Sequence, residues 1–293
     1  MTESQNLPFH PSPSKPKIAL PPGACDAHCH VFGPAARFPF APERTYTPVD
    51  APKETLFELH RMLGIERSIL VQASCHGTDN AAMLEAIAAS EGRYRGVAMV
   101  DKDVTVDELR RLHEGGVRGV RFNFVSHLGK DADIDAVRAI VDRIAEPGWH
   151  AVVHFDANRL ETLAPVLESL PVPLIVDHMG RVDASQGTDQ PAFRMLLELM
   201  EDSRFWVKVC GAERISRAGP PFADAVPFAR TLVDRFPDRV LWGTDWPHPN
   251  IKKNMPDDGH LVDLLAKIAP DATALRRLLV DNPTRLYWPE ALD

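Results

Sequence analysis

The chain has 293 residues, 44% hydrophobic and 25% charged, which is enough to bury a large core without disulfide staples. Its 33 basic and 41 acidic residues leave a formal charge of −8. That balance argues against a broad nucleic-acid footprint and leaves any anionic ligand to a few local arginines.

From Pro8 to Pro22 prolines recur every few residues, so residues 1–23 read as an extended arm without the apolar centre of a secretory signal. No apolar run approaches the roughly 18 residues of a membrane span. Cys25, Cys29, Cys75 and Cys210 form neither a CxxC pair nor a dense framework. Free buried thiols in a reducing cytoplasm are the expectation.

Residues 24–293 are expected to form one domain. Strands are predicted at Ala24–Val31, Ser68–Ala73, Gly96–Val100, Val117–Phe124, His150–Phe155, Leu174–His178, Trp206–Cys210 and Val240–Trp246. Helical patterns follow at Leu56–Leu63, Asn80–Ser90, Val106–Glu114, Ile134–Ile144, Leu160–Leu170, Phe193–Met200, Phe228–Phe236 and Leu261–Ile268. Eight strands, each followed by a helix, is the count of a closed parallel barrel, so the fold class is α/β, a (β/α)8 barrel. An open doubly wound sheet would share the alternation, but no Gly-rich phosphate loop follows the first strand.

Polar residues arrive at the carboxyl ends of the apolar runs: His28 and His30, then Arg121, His154, Asp177 with His178, and Asp245. In a barrel these ends converge on one face. Alternate residues of a strand point the same way, so His28 and His30 present two imidazoles together to a divalent cation or an oxyanion. A single histidine after an apolar strand reads as a core residue bonded to a backbone carbonyl; several at matching ends read as a site. Asp177 is expected to point away from His178 and to serve structure, and His248 to hydrogen-bond its loop. Asp245 follows apolar Val240, Leu241 and Trp242, where a buried carboxylate needs compensation, which suits a metal ligand or general base. Arg121, inside an apolar strand, either pairs with a buried carboxylate or awaits a substrate carboxylate; the second reading is preferred. Arg214 offers another planar fork for an anion.

The runs DAHCHVFGP (26–34), VQASCHGTDN (71–80), HEGGVRGVRFNF (113–124), DHMGR (177–181) and WGTDWPHPN (242–250) resemble the 2-pyrone-4,6-dicarboxylate lactonase family of the amidohydrolase superfamily. The likeness runs from about residue 20 to NPTRLYW at 282–288. It implies an amidohydrolase-type barrel that opens a small anionic lactone in bacterial breakdown of lignin-derived aromatics. By this resemblance His28, His30 and His178 bind and polarise the lactone carbonyl, and Asp245 activates water. Arg121 and Arg214 hold substrate carboxylates, while Tyr46, Ser74 and His76 shape the pocket.

Two positions depart from that pattern. His154 stands where the family has tyrosine, and His127 where it has a carboxylate-binding arginine. With His28, His30 and Asp245, His154 completes the ligand set of a mononuclear zinc site, so one divalent metal is expected although the resemblance implies a metal-free site. His127 weakens the grip on a second carboxylate, which brings in a sulfonated lactone, 4-sulfomuconolactone, as the alternative substrate. Metal-dependent decarboxylases of the superfamily share the same polar ends, and CO2 release separates them from hydrolysis. Serine chemistry is disfavoured, since no GxSxG elbow is present. Neither nucleic acid nor membrane is an expected partner, and a homo-oligomer is compatible with the chain.

Overall fold

The computed structural model describes residues 7–129 and 131–291, so the first six residues of the expected arm lie outside the described residues. Eight strands pair in parallel in chain order: β1 Cys25–Cys29, β2 Arg67–Val71, β3 Tyr94–Ala98, β4 Val117–Phe124, β5 His150–Phe155, β6 Leu174–Val176, β7 Phe205–Lys208 and β8 Val240–Leu241. The barrel is closed by the segment after β8. Ala27 N–H donates to the Trp242 carbonyl at 2.8 Å, Asp245 N–H to His28 at 2.8 Å, and His30 N–H to Trp246 at 2.7 Å. The fold is the (β/α)8 barrel that the alternation predicts.

Helices cover the outside, among them Lys53–Leu63, Ala81–Ala88, Val106–Glu114, Ile134–Ala145, Leu160–Glu168, Pro191–Leu199 and Val226–Arg235. Helix Val106–Glu114 shows why the local sequence folds so. The Thr105 side chain accepts the Glu108 N–H at its start, and Leu109 and Leu112 turn one apolar stripe inward. Such a cap contributes about 1 kcal/mol, and each buried leucine about 1.5–3 kcal/mol.

Strand alternation sorts the side chains into two layers. Cys25, Ala27, Ile69, Val71, Val97, Val152, Ile175, Trp206 and Leu241 fill the interior of the barrel. Tyr287 and Trp288 close the amino-terminal end, the Tyr287 ring resting on His150 at the start of β5. The other faces pack under the helices.

One irregularity matters for function. Between Asp26 and Cys29, β1 spends one residue more than β2, a β-bulge. Cys25 and Ala27 face inward, and without the bulge His28 would face the helices. The extra residue lets His28 follow Ala27 into the interior, with His30 two positions on.

The described part of the arm lies against the loop that follows β8: Leu7 N–H donates to Ile251, and the Phe9 ring packs on Trp246 at 5.0 Å. Further along, Ser14 N–H bonds the Asp257 carboxylate. All four cysteines are buried and unpaired. Among the described residues no helix is long and apolar enough to cross a membrane.

Candidate active site

The carboxyl ends of the strands hold two polar layers. The lower is buried inside the barrel and consists of His28, Asp177 and Lys208, with Arg121 reaching from it to the pocket. Asp177 follows Val176 at the inward parity of Ile175, and its carboxylate is the hub. Oδ2 accepts from Arg121 Nε and Nη2, both at 2.9 Å, while Oδ1 lies 3.1 Å from Lys208 Nζ and 3.3 Å from His28 Nδ1. Burial alone would raise the Asp177 pKa, but the charge of Lys208, the contact with His28 and the charge of Arg121 outweigh it and hold the carboxyl well below its ordinary range. Arg121 therefore takes the other of its two expected roles: it pairs with a buried carboxylate, because Asp177 turns inward beside it. Its guanidinium still reaches the pocket wall.

The upper layer surrounds Asp245. Its Oδ1 lies 3.3 Å from His30 Nε2, 3.5 Å from His28 Nε2 and 4.0 Å from His178 Nε2. Its Oδ2 accepts from Arg214 Nε at 2.7 Å and Nη2 at 2.6 Å. Arg214 Nη1 donates to the Pro249 carbonyl at 2.6 Å. Every nitrogen of this guanidinium is thus committed, so Arg214 clamps Asp245 rather than presenting the free fork the sequence suggested. Burial pushes the Asp245 pKa up, yet Arg214 and the imidazoles overcome it and keep the carboxylate ionised.

His178 enters by an unusual route. The expected strand through residue 178 stops at Val176, and His178, Met179, Gly180 and Arg181 all adopt left-handed backbone, with φ of 50°, 53°, 64° and 51°. Straight continuation would have pointed His178 at the helices; the turn brings it in. Gly211 makes room for it. A Cβ on Gly211 would lie 2.6 Å from His178 Nδ1, and its φ of +73° already excludes most side chains. Gly211→Ala is expected to displace the imidazole and lower kcat/KM roughly 10- to 100-fold in a folded protein, measured by steady-state kinetics beside thermal melting.

Proton placement follows from the partners. His30 Nδ1 lies 2.7 Å from the Val71 carbonyl, which only accepts, so Nδ1 carries the proton and Nε2 turns a lone pair toward Asp245 Oδ1. Two electron-rich atoms at that distance call for a proton or a metal ion between them. His28 Nδ1 is shared by Lys208 Nζ at 2.9 Å and Asp177. With its proton on Nδ1, His28 offers an Nε2 lone pair to a cation; with Lys208 donating to Nδ1, Nε2–H becomes a donor. Burial pushes the His178 pKa down to about 3 and holds His28 and His154 well below the ordinary range, so these rings are neutral at pH 7.

Among the described residues, ligand atoms of His28, His178 and Asp245 lie within 4.8 Å of one another, with His30 beside them, and this N,N,O donor set fits a divalent cation. His178, which was expected to polarise the carbonyl, stands in this group, and the expected ligand His154 lies beside it on the pocket wall. The left-handed turn carries His178 inward, while His154 Nδ1 is held by Asn123 at 3.2 Å and its buried Nε2 has no partner.

Above this layer opens a pocket of about 370 Å³, counting its solvent-open mouth. His30, Arg121, His154, His178, Arg214 and Asp245 form its depth, and Tyr46, Ser74 and His127 its sides. His76 does not line it: Nε2 accepts the Gly33 N–H at 3.2 Å and the ring packs on Phe40, bracing the loop after β1. Desolvation, then the charge of Arg181, pushes the His127 pKa down to about 4, so it is no cation at neutral pH. The sequence reading missed Lys208, whose signal was a lone lysine within an apolar strand, and Arg181, which carried none.

His248 is the loop hydrogen-bonder expected. Burial would lower its pKa, but Asp258 at 3.1 Å and Glu213 at 3.5 Å raise it to about 10. Stability from this imidazolium is full below the unfolded value near 6.5 and is lost as pH rises toward 10. Unfolding free energies from urea titration should fall across that window by on the order of a few kcal/mol, and His248→Gln should flatten the dependence.

With the geometry in place, comparison with known proteins is informative. The amidohydrolase family profile matches residues 25–288. A 2-pyrone-4,6-dicarboxylate hydrolase of Comamonas testosteroni is 52% identical, covering 97% of this chain and 96% of that protein. A 4-sulfomuconolactone hydrolase of Hydrogenophaga intermedia is 44% identical, over 92% and 90%. The crystal structure of a "probable 2-pyrone-4,6-dicarboxylic acid hydrolase" from Acinetobacter baumannii with citric acid bound superposes with a TM-score of 0.81 at 26% identity, covering 91% and 99%. From the bulged first strand to the carboxylate after the eighth, the chain belongs to the amidohydrolase family.

Proposed function

We propose that this protein is a hydrolase that opens a small anionic lactone, with 2-pyrone-4,6-dicarboxylate as the preferred substrate, in bacterial catabolism of aromatic compounds. The observation that carries this reading is the convergence of three imidazole Nε2 atoms on Asp245 Oδ1 at the base of an arginine-walled pocket. The names of the relatives at 52% and 44% identity, both lactone hydrolases, support it. The four unpaired cysteines support a cytoplasmic setting.

In this mechanism Asp245 Oδ1 takes a proton from water, and the hydroxide oxygen attacks the lactone carbonyl carbon. The Nε2–H of His28, with Lys208 donating to its Nδ1, and that of His178 stabilise the oxyanion; one such donor is worth about 3–4 kcal/mol. Collapse breaks the bond between the acyl carbon and the ring oxygen, which takes the proton back from Asp245. Arg214 costs Asp245 some basicity but fixes its orientation. A single zinc ion would be held by His28, His178 and Asp245, with His30 adjacent. When bound, such an ion supplies Lewis-acid polarisation and makes water more acidic.

The test is direct. Purified protein should consume 2-pyrone-4,6-dicarboxylate, releasing the ring-opened acid and no CO2, and elemental analysis should find about one divalent metal per chain. Turnover of 4-sulfomuconolactone alone would move the assignment to the sulfonated substrate. Active protein free of metal would remove the ion from the proposal, and CO2 release would remove hydrolysis.

A further inference from the structure

We propose that Arg181 is the grip for a second, outer anionic group of the substrate, so that the pocket selects a dianionic lactone. This rests on the lactone reading above and names the residue that takes over where His127 replaces an arginine.

Three arginines face the pocket: Arg121, Arg181 and Arg214. Arg214 has all three nitrogens committed, to Asp245 and to the Pro249 carbonyl. Arg121 spends Nε and Nη2 on Asp177. Arg181 is held only through Nε, by Asp156 Oδ1 at 3.1 Å. Its Nη1 and Nη2 have no hydrogen-bond partner among the described residues. The other Asp156 oxygen is occupied by the Ser126 N–H and hydroxyl. Arg181 is thereby the one pocket arginine with both terminal nitrogens unspent, the geometry for bidentate capture of a carboxylate or sulfonate.

Four consecutive residues, His178 to Arg181, hold left-handed φ, and three of them carry side chains. Each such residue costs about 1–2 kcal/mol relative to ordinary backbone, and costs of this kind persist where function requires them. A turn with about three residues per rotation places positions three apart on one side. His178 and Arg181 are three apart, and both line the pocket. Met179, buried between them, anchors the turn in the core. One device thus aims the carbonyl-polarising imidazole and the outer cation at the same ligand.

In a chain of net charge −8, the pocket wall carries Arg121, Arg181 and Arg214; the deeper two meet Asp177 and Asp245 through two guanidinium nitrogens each, whereas Arg181 meets Asp156 through Nε alone. His127, on the same rim, is neutral at pH 7. The guanidinium nitrogens still open to an anion at the mouth are therefore those of Arg181.

The test uses binding, so that it stands apart from turnover. Pyridine-2,4-dicarboxylate, a planar dianion with no ester to hydrolyse, and pyridine-2-carboxylate, its monoanion counterpart, are titrated calorimetrically into wild type, Arg181→Met and Arg181→Lys. Arg181→Met should weaken the dianion roughly 10- to 100-fold and the monoanion by less than about threefold; Arg181→Lys, which keeps charge but loses the fork, should fall between. A sulfonated pyridine carboxylate run alongside reports which outer anion the fork prefers. With a lactone substrate the loss should appear in KM more than in kcat. If Arg181→Met melts at the wild-type temperature and binds the dianion as tightly, the inference is overturned. If that variant does not fold, equal dianion affinity in Arg181→Lys and wild type overturns it instead. Wild type that binds the dianion but opens no lactone overturns the hydrolase reading and leaves Arg181 in place.

Discussion

Asp245→Asn should lower lactone turnover about 10²- to 10⁴-fold, the usual contribution of a positioned general base. The amide is isosteric, and its oxygen can still accept from Arg214, so the geometry around Oδ2 survives. What disappears is the lone acceptor facing His28, His30 and His178, and with it any means of taking a proton from water. KM should move little, because Arg181, the proposed grip on the substrate anion, is held by Asp156 and not by Asp245. Zinc content measured on the same variant separates the two functions of this carboxylate. Retained metal with lost turnover isolates the base, whereas loss of both shows that binding the ion is the greater part. Unchanged kcat would place the base elsewhere.

The barrel and the face that carries chemistry were both legible in the sequence, for a physical reason. Strands buried on both sides must be continuously apolar, so a polar residue at the end of each run stands out. That rule found His28, His30, Arg121, His154 and Asp245, although it is the β1 bulge, which no alternation predicts, that turns His28 inward after Ala27. What stayed hidden were partnerships and turns. Nothing in the spacing says that Arg214 would spend its whole fork on a carboxylate 31 positions later, or that Arg121 would find Asp177. The left-handed run from His178 to Arg181 has no period to detect; Gly180 is its only compositional trace, and the strand was therefore extrapolated straight through it. Lys208 was readable in principle, since FWVK places a lysine at the inward parity of Trp206. His76 was expected in the pocket by likeness alone, and the contact it makes with Gly33 is invisible without coordinates.

Asp177→Asn should destabilise the fold by about 3–5 kcal/mol, the cost of breaking a buried charge set from one side. The carboxylate is fully buried and answers two cations, Arg121 and Lys208, the latter fully buried itself. An amide removes the negative charge but not the cations, and Lys208 is left with the His28 ring as its remaining partner. The loss should appear as a lower urea midpoint with unchanged slope, because the surface exposed on unfolding is the same. A second substitution identifies the cause. If uncompensated positive charge is the penalty, adding Lys208→Met should recover part of the stability, since an apolar side chain costs less there than an unpaired ammonium. The two changes would then be strongly non-additive. Simple additivity, or a single Asp177→Asn variant within about 1 kcal/mol of wild type, would mean that the buried layer beneath the pocket is held by packing and not by its charges.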